Sequence, residues 1–190
     1  MLGRLAAKSA LGAMLTEPDL PRIGVRAGVF GQPLVDHPRS LGIDVTVSHS
    51  NGLAVALAYS ADWPIGMDLE TVAAAAVTTV LDQIDASADE KAWLSAEAIS
   101  RSAACGVLWT AREALGKALK TGLNSPLGVL SLCDFKPVDT DSAAKSWAGG
   151  YGNFPQFRWQ AQAFGERMLT LCLPREIELV TPPALLMPVR

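Results

Sequence analysis

Histidine and cysteine are scarce in this sequence, with two histidines and three cysteines among 190 residues. Cys105, Cys133 and Cys172 are odd in number, lie far apart and form no C-x-x-C pair, which excludes a disulfide framework or a thiolate metal site and fits reduced thiols of a cytosolic protein. There is no G-x-S-x-G nucleophile elbow, so a hydrolase built on Ser48-His49-Ser50 would lack both its sharp turn and a third triad member. No apolar run approaches the ~20 residues that span a bilayer. Sixteen basic against nineteen acidic residues, net charge −3, give no bulk basic surface for nucleic acid. The expectation is a cytoplasmic protein with neither membrane nor nucleic acid as partner.

One further absence is local. Between Arg39 and Lys91 there is no lysine or arginine, yet Asp44, Asp62, Asp68, Glu70, Asp82, Asp85, Asp89 and Glu90 all fall there. Neighbouring ion pairs cannot neutralise that acidity, so the compensating charge comes from a distant segment or from a metal.

What is present is apolar substance, 49% of the residues, enough to bury a core as one domain or as two tightly packed subdomains. Residues 2–15 read as an amphipathic helix ended by Thr16-Glu17-Pro18-Asp19, and a partial strand follows at 22–30. Ile43, Val45, Val47 and His49 alternate with Asp44, Thr46 and Ser48. An Asn51-Gly52 hairpin signal then leads to the apolar strand 53–59. After a turn comes Pro64-Ile65-Gly66-Met67-Asp68-Leu69-Glu70, the third of three consecutive antiparallel strands. The alanine run 73–76 is a loop or helix start, and helices are expected at 77–84, 87–98 and 101–120. Ser87 and Glu90 form a capping box, and Gly122 caps the last helix. A strand at 127–133, a long glycine-rich loop at 134–153 and two closing strands at 156–164 and 167–173 complete the chain before a proline-punctuated surface tail, 176–190. The class is α+β, with approximate subdomains 1–62 and 63–175.

The helix from Arg101 has two readable faces. Ala104, Leu108, Ala111, Leu115, Ala118 and Leu119 form a core stripe, Trp109, Glu113, Gly116, Lys117 and Lys120 a working face, and Arg112 stands at the border. Glycine inside a helix costs roughly 1 kcal/mol against alanine, so Gly116 points to something approaching the backbone closely. On the strand at 64–70, Asp68 and Glu70 share the face opposite Ile65, Met67 and Leu69. Two like charges so close call for a cation. With Glu113 and Lys117 they make a candidate hard-cation site beside a phosphate-binding lysine, although Asp-x-Glu alone is more often a solvated strand face, and Glu113/Lys117 alone a helix ion pair.

Gly31-Gln32-Pro33, Ser48-His49-Ser50, Gly66-Met67-Asp68-Leu69-Glu70, Ser87-x-x-Glu90 and Trp109-x-x-Arg112-Glu113-Ala114-x-x-Lys117, followed by Gly122-Leu123, occur in one order. That series resembles the 4′-phosphopantetheinyl transferase superfamily, specifically its larger Sfp-like (surfactin synthetase-activating) type, over residues 4–173. The resemblance implies two similar α+β halves with coenzyme A in the cleft between them. The implied reaction moves the phosphopantetheine arm of coenzyme A to a serine of an apo carrier protein (acyl, aryl or peptidyl) and releases adenosine 3′,5′-bisphosphate. By matching position, Asp68, Glu70 and Glu113 would hold Mg²⁺, with Mn²⁺ as a substitute, against the pyrophosphate. Glu113 would accept the serine proton directly or through a metal-bound water, and Lys117 would stabilise the leaving group. Ser48, His49, Asp68, Arg112 and Lys117 would contact coenzyme A, Arg4 its 3′-phosphate, and Glu90 matches a family acid near the metal.

The sequence departs from the family pattern in three places. Gln32 stands for a lysine, Arg112 for the lysine before the metal-binding glutamate, and Met1 begins where the family already has a first strand and helix. Basic residues that help grip coenzyme A are therefore expected to be missing. A non-catalytic module that only binds coenzyme A or a carrier protein is the second reading. A different Mg²⁺-dependent phosphoryl-group enzyme is the third.

Overall fold

The computed structural model describes residues 2–71, 77–96, 99–138 and 144–178. The chain runs α1 (Leu2–Leu15), β1 (Gly24–Ala27), β2 (Pro33–Asp36), β3 (Ile43–Ser50), β4 (Leu53–Ser60), β5 (Gly66–Thr71), α2 (Val77–Ile84), α3 (Ala88–Leu94), α4 (Arg101–Ala118), β6 (Leu132–Val138), β7 (Ser146–Tyr151), β8 (Phe157–Phe164) and β9 (Arg167–Pro174). All pairing among these strands is antiparallel, in two two-stranded ribbons, β1-β2 and β3-β4, and a five-stranded sheet ordered β5-β9-β8-β7-β6. Helices pack on both parts, so the class is the α+β expected. Residues 73–76 and 179–190, for which a loop or helix start and a surface tail were expected, lie outside the described residues.

The alternation in β3 becomes two working faces. Ile43, Val45, Val47 and, from β4, Ala56 and Ala58 pack with Ala7, Leu11 and Leu15 of α1. On the other face, Val55 and Tyr59 meet Ile65 just ahead of β5, Met67 and Leu69 of β5, and Leu169, Leu171 and Leu173 of β9. Asn51 and Gly52, at φ +44° and +78°, make the tight turn that their types favour.

Three expectations are corrected here. The strand at 64–70 does not extend the β3-β4 ribbon; β5 pairs with β9, from Gly66↔Cys172 to Thr71↔Arg167, and forms an edge of the five-stranded sheet. Leu127–Leu130 is a 3₁₀ turn, and the strand starts at Leu132. The loop expected at 134–153 contains the rest of β6 and all of β7. Gly149 and Gly150, which read as turn residues, serve close packing instead: a β-carbon at Gly149 would run into the Trp159 ring and the Cys133 carbonyl, and Trp159 Nε1 donates to the Gly150 carbonyl at 2.8 Å.

The free edge of β5 is satisfied by side chains of β3. Met67 N–H donates to Thr46 Oγ1 (3.3 Å), Thr71 N–H donates to Ser50 Oγ (3.1 Å), and Ser48 Oγ–H, directed chiefly at Asp68, is shared with the Leu69 carbonyl at 3.3 Å. Hydroxyls spaced two residues apart thus do what a neighbouring strand would do for unpaired backbone groups. This seam joins the ribbon to the large sheet.

Helix α4 lies under that sheet. Ala104, Leu108, Ala111, Leu115 and Ala118 are buried as expected and Leu119 packs beside them, in a core shared with Leu132, Tyr151 and Trp159. Ser100 caps its first turn, accepting from Ala103 N–H at 3.3 Å. Its end is drawn back on itself, with Thr121 and Gly122 N–H both donating to the Gly116 carbonyl. That return explains Gly116: a β-carbon there would strike the backbone of Gly122. The close approach is the helix's own exit, not a ligand.

Gly66 has the same logic across elements. A β-carbon on it would strike the Ala114 carbonyl and the Ala118 amide of α4, so glycine is what lets β5 lie directly on the helix. Gly66→Ala is expected to destabilise the protein by about 1–3 kcal/mol, the usual range for overpacking, and to lower the melting temperature by several degrees. Unchanged thermal unfolding would show that the strand is not held tightly against α4.

Candidate active site

Asp68 sits where β3, β5 and α4 meet. It is 5% exposed; its Oδ1 accepts from Ser48 Oγ at 2.8 Å and from Lys117 Nζ at 2.7 Å. Its Oδ2 is buried without a hydrogen-bond partner. Ser50 Oγ donates to Glu70 Oε1 at 2.6 Å. The two serines flanking His49 therefore each fix one of the two carboxylates, because residues two apart on β3 match residues two apart on β5.

Glu113 and Lys117, one helical turn apart on α4, face a solvent-open cleft of about 190 Å³. Phe30, Gln32, Asp44, Tyr59 and Lys120 also line it. Burial pushes the Glu113 carboxyl above its ordinary range; nearby Asp68 and Glu70 add to the rise and Lys117 opposes it. Tyr59 is likewise raised, first by burial and then by Asp44. The acidity that β3 and β5 accumulate is answered by α4: Lys117 pairs with Asp68, and Lys120 with Asp44 at 2.5 Å. The distant compensating segment is this helix.

Not every expected residue joins the site. Arg112, expected to contact coenzyme A, is fully buried on the far side of α4 and pairs with the equally buried Glu90 at 2.8 Å. Its remaining donors go to the Leu127 and Leu108 carbonyls. Desolvation lowers the Arg112 pKa and Glu90 counters that shift. Glu90 is not beside the carboxylates of β5 either; it closes the capping box with Ser87 and accepts from Leu132 N–H at 2.8 Å. Both residues were read as ligand-side from the family resemblance, and the helical wheel, which left Arg112 at the border of its two faces, carried no sign of which side buries it. Arg4 and His49 are exposed and lie on the α1 side of the ribbon, where Gly3 approaches the His49 ring; neither lines the cleft.

The carboxylate trio is also less closed than its spacing suggests. Among the described residues no three acidic, histidine or cysteine side chains converge as a finished metal-binding group, and the Lys117 ammonium sits on Asp68 Oδ1. The unpartnered Asp68 Oδ2 and the like charges around Glu113 do fit an added cation. Sequence reading missed the Asp44–Lys120 pair across the cleft. Its signal was available: Asp44 shares the polar row of β3 with Thr46 and Ser48, and Lys120 falls on the working stripe of the helix expected over 101–120.

An α+β fold with antiparallel sheets on helices, and an acid-and-lysine cleft where they meet, is the class of protein described so far. Residues 64–172, more than half of the chain, match the family model of the 4′-phosphopantetheinyl transferase superfamily, and the chain belongs to that superfamily. None of the curated proteins compared with it matches. Membership implies phosphopantetheine transfer in general, with coenzyme A and a carrier protein as the partners. Among the described residues no helix is long and apolar enough to cross a membrane.

Proposed function

We propose that the protein moves the 4′-phosphopantetheine arm of coenzyme A to a serine of an apo acyl or peptidyl carrier protein in a Mg²⁺-dependent reaction, as Sfp-like transferases do. The observation that carries this reading is the junction at Asp68: a buried carboxylate oxygen without a partner, a lysine on its other oxygen, and Glu113 with a raised pKa opening onto the same cleft. Asp68, Glu70 and Glu113 would hold the magnesium, which when bound supplies charge neutralisation at the pyrophosphate oxygens.

The chain's own residues have distinct tasks. Glu113 takes the proton of the carrier serine as its oxygen bonds to the β-phosphorus, and its raised pKa suits a base working nearer neutrality than an ordinary carboxylate. Cleavage of the bond between that phosphorus and the bridging oxygen releases adenosine 3′,5′-bisphosphate. Lys117 faces the charge that develops on that leaving group. Ser48 and Ser50 hold the carboxylates so that no reorientation is needed during the reaction. Arg4 and His49, exposed on the α1 side of the β3-β4 ribbon and outside the cleft lining, are the residues we assign to the 3′-phosphate end of coenzyme A. Arg112 has no part in that contact.

Incubating the protein with coenzyme A, Mg²⁺ and a set of apo carrier proteins, then weighing each carrier by mass spectrometry, tests the reading. The expected result is a phosphopantetheine mass gain on at least one carrier that vanishes on chelation. No gain on any of them overturns the proposal, and metal-dependent coenzyme A binding without gain would establish a binding module in its place.

A further inference from the structure

Lys120 occupies a backbone position that suits glycine. Its φ is +58°, in the left-handed region. Of the other non-glycine residues described with positive φ, Asn51, Asp85 and Asp134 are of the short polar types that adopt it readily, and Thr16 is the remaining one. Lysine gains nothing from this conformation, so its presence at the exit of α4 points to a use for the side chain.

That side chain reaches across the cleft. Its ammonium lies 2.5 Å from Asp44 Oδ2, the lysine side chain half exposed and the aspartate 14% exposed. Such a partly exposed pair contributes little to stability. Both residues line the cleft together with Glu113 and Lys117. Two ammonium groups three residues apart, Lys117 in the last turn of α4 and Lys120 just past its end, are thus each held by a carboxylate of the opposite wall, Lys117 by Asp68 and Lys120 by Asp44.

We propose that Lys120 is a second anion-binding group of this cleft, stored on Asp44 in the free protein and transferred to the phosphate oxygens of the co-substrate when it enters. The identity of that co-substrate as a pyrophosphate-bearing nucleotide rests on the function proposed above. Asp44 makes the site selective. An incoming anion must outcompete a formed ion pair, which a pyrophosphate long enough to meet both Lys117 and Lys120 does and a single orthophosphate, meeting one of them, does poorly. The pair is a specificity device and Lys120 its moving part.

Calorimetric titration of the full chain with inorganic pyrophosphate, orthophosphate and coenzyme A tests this on five proteins: wild type, Lys120→Gly, Lys120→Arg, Asp44→Asn and the Lys120→Gly/Asp44→Asn double variant. Lys120→Gly is expected to weaken pyrophosphate and coenzyme A binding about tenfold, the scale of one charge-assisted hydrogen bond. It should also melt no lower than wild type, because glycine suits the backbone there. Lys120→Arg restores binding. Asp44→Asn is expected to tighten binding several-fold and to narrow the preference for pyrophosphate over orthophosphate, and that gain disappears in the double variant. The inference is overturned if wild type does not bind pyrophosphate or if Lys120→Gly binds as wild type. It is also overturned if the Asp44→Asn gain persists without Lys120, since that would reflect only the removal of a negative charge. Failure of the transferase reading looks different: no carrier gains mass while pyrophosphate binding and its dependence on Lys120 remain.

Discussion

Glu90→Ala is expected to destabilise the protein by about 3–5 kcal/mol, the range for breaking one side of a buried ion pair, read as a lowered urea midpoint with an unchanged slope. Both side chains of the Glu90–Arg112 pair are fully buried. The glutamate also accepts from Ser87 and Leu132 N–H. Its removal therefore leaves a guanidinium without its counter-charge and two backbone donors without their acceptor. Arg112 ties α4 to α3 through Glu90 and to the 3₁₀ turn through the Leu127 carbonyl. Because Glu113 is the next residue, about 100° around the helix, the buried pair fixes the direction in which Glu113 faces the cleft. Glu90→Gln, which keeps one acceptor oxygen, should fall between wild type and Glu90→Ala. A Glu90→Ala protein as stable as wild type would mean that the pair is solvated and that α4 is anchored by other contacts.

Local signals carried much of the fold. The helix over Leu2–Leu15, the helix over Val77–Ile84, the Ser87–Glu90 capping box and the closing hairpin across Gly165 all stand where residue pattern put them, because capping, turn chemistry and period are properties of neighbouring residues. The partner of β5 was not legible: its ladder with β9 joins residues about a hundred positions apart, and an alternating strand fits any sheet with a matching face. The same holds for β7, whose glycines make sense only once the Trp159 ring is seen against them. At the site, spacing alone paired Asp68 with Glu70 and Glu113 with Lys117. It could not show that Lys117 would close on Asp68, or that Arg112 would turn into the core, since both depend on what α4 packs against.

Asp68→Asn is expected to reduce transfer by at least about 10³-fold, in line with the loss of a group that organises charge at a reacting phosphate, while leaving a folded protein. Asparagine matches aspartate in shape, so its Oδ1 still accepts from Ser48 and from Lys117 at their present positions. Two things change. Lys117 loses its negative partner, which costs roughly 1–3 kcal/mol of stability on the scale of a charge-assisted hydrogen bond. The second change is at the unpartnered Oδ2, where an N–H donor now stands in place of lone pairs and repels a cation. The decisive measurement pairs a single-turnover rate, taken at saturating coenzyme A with an apo carrier, with melting curves recorded with and without Mg²⁺. Wild type should melt higher with the metal, by the mass-action stabilisation of a ligand that binds only the folded state, and the variant should not. Transfer at the wild-type rate would remove Asp68 from the site. A slow variant that still gains thermal stability from Mg²⁺ would move the metal onto Glu70 and Glu113 and leave Asp68 with one task, holding the Lys117 ammonium in the cleft.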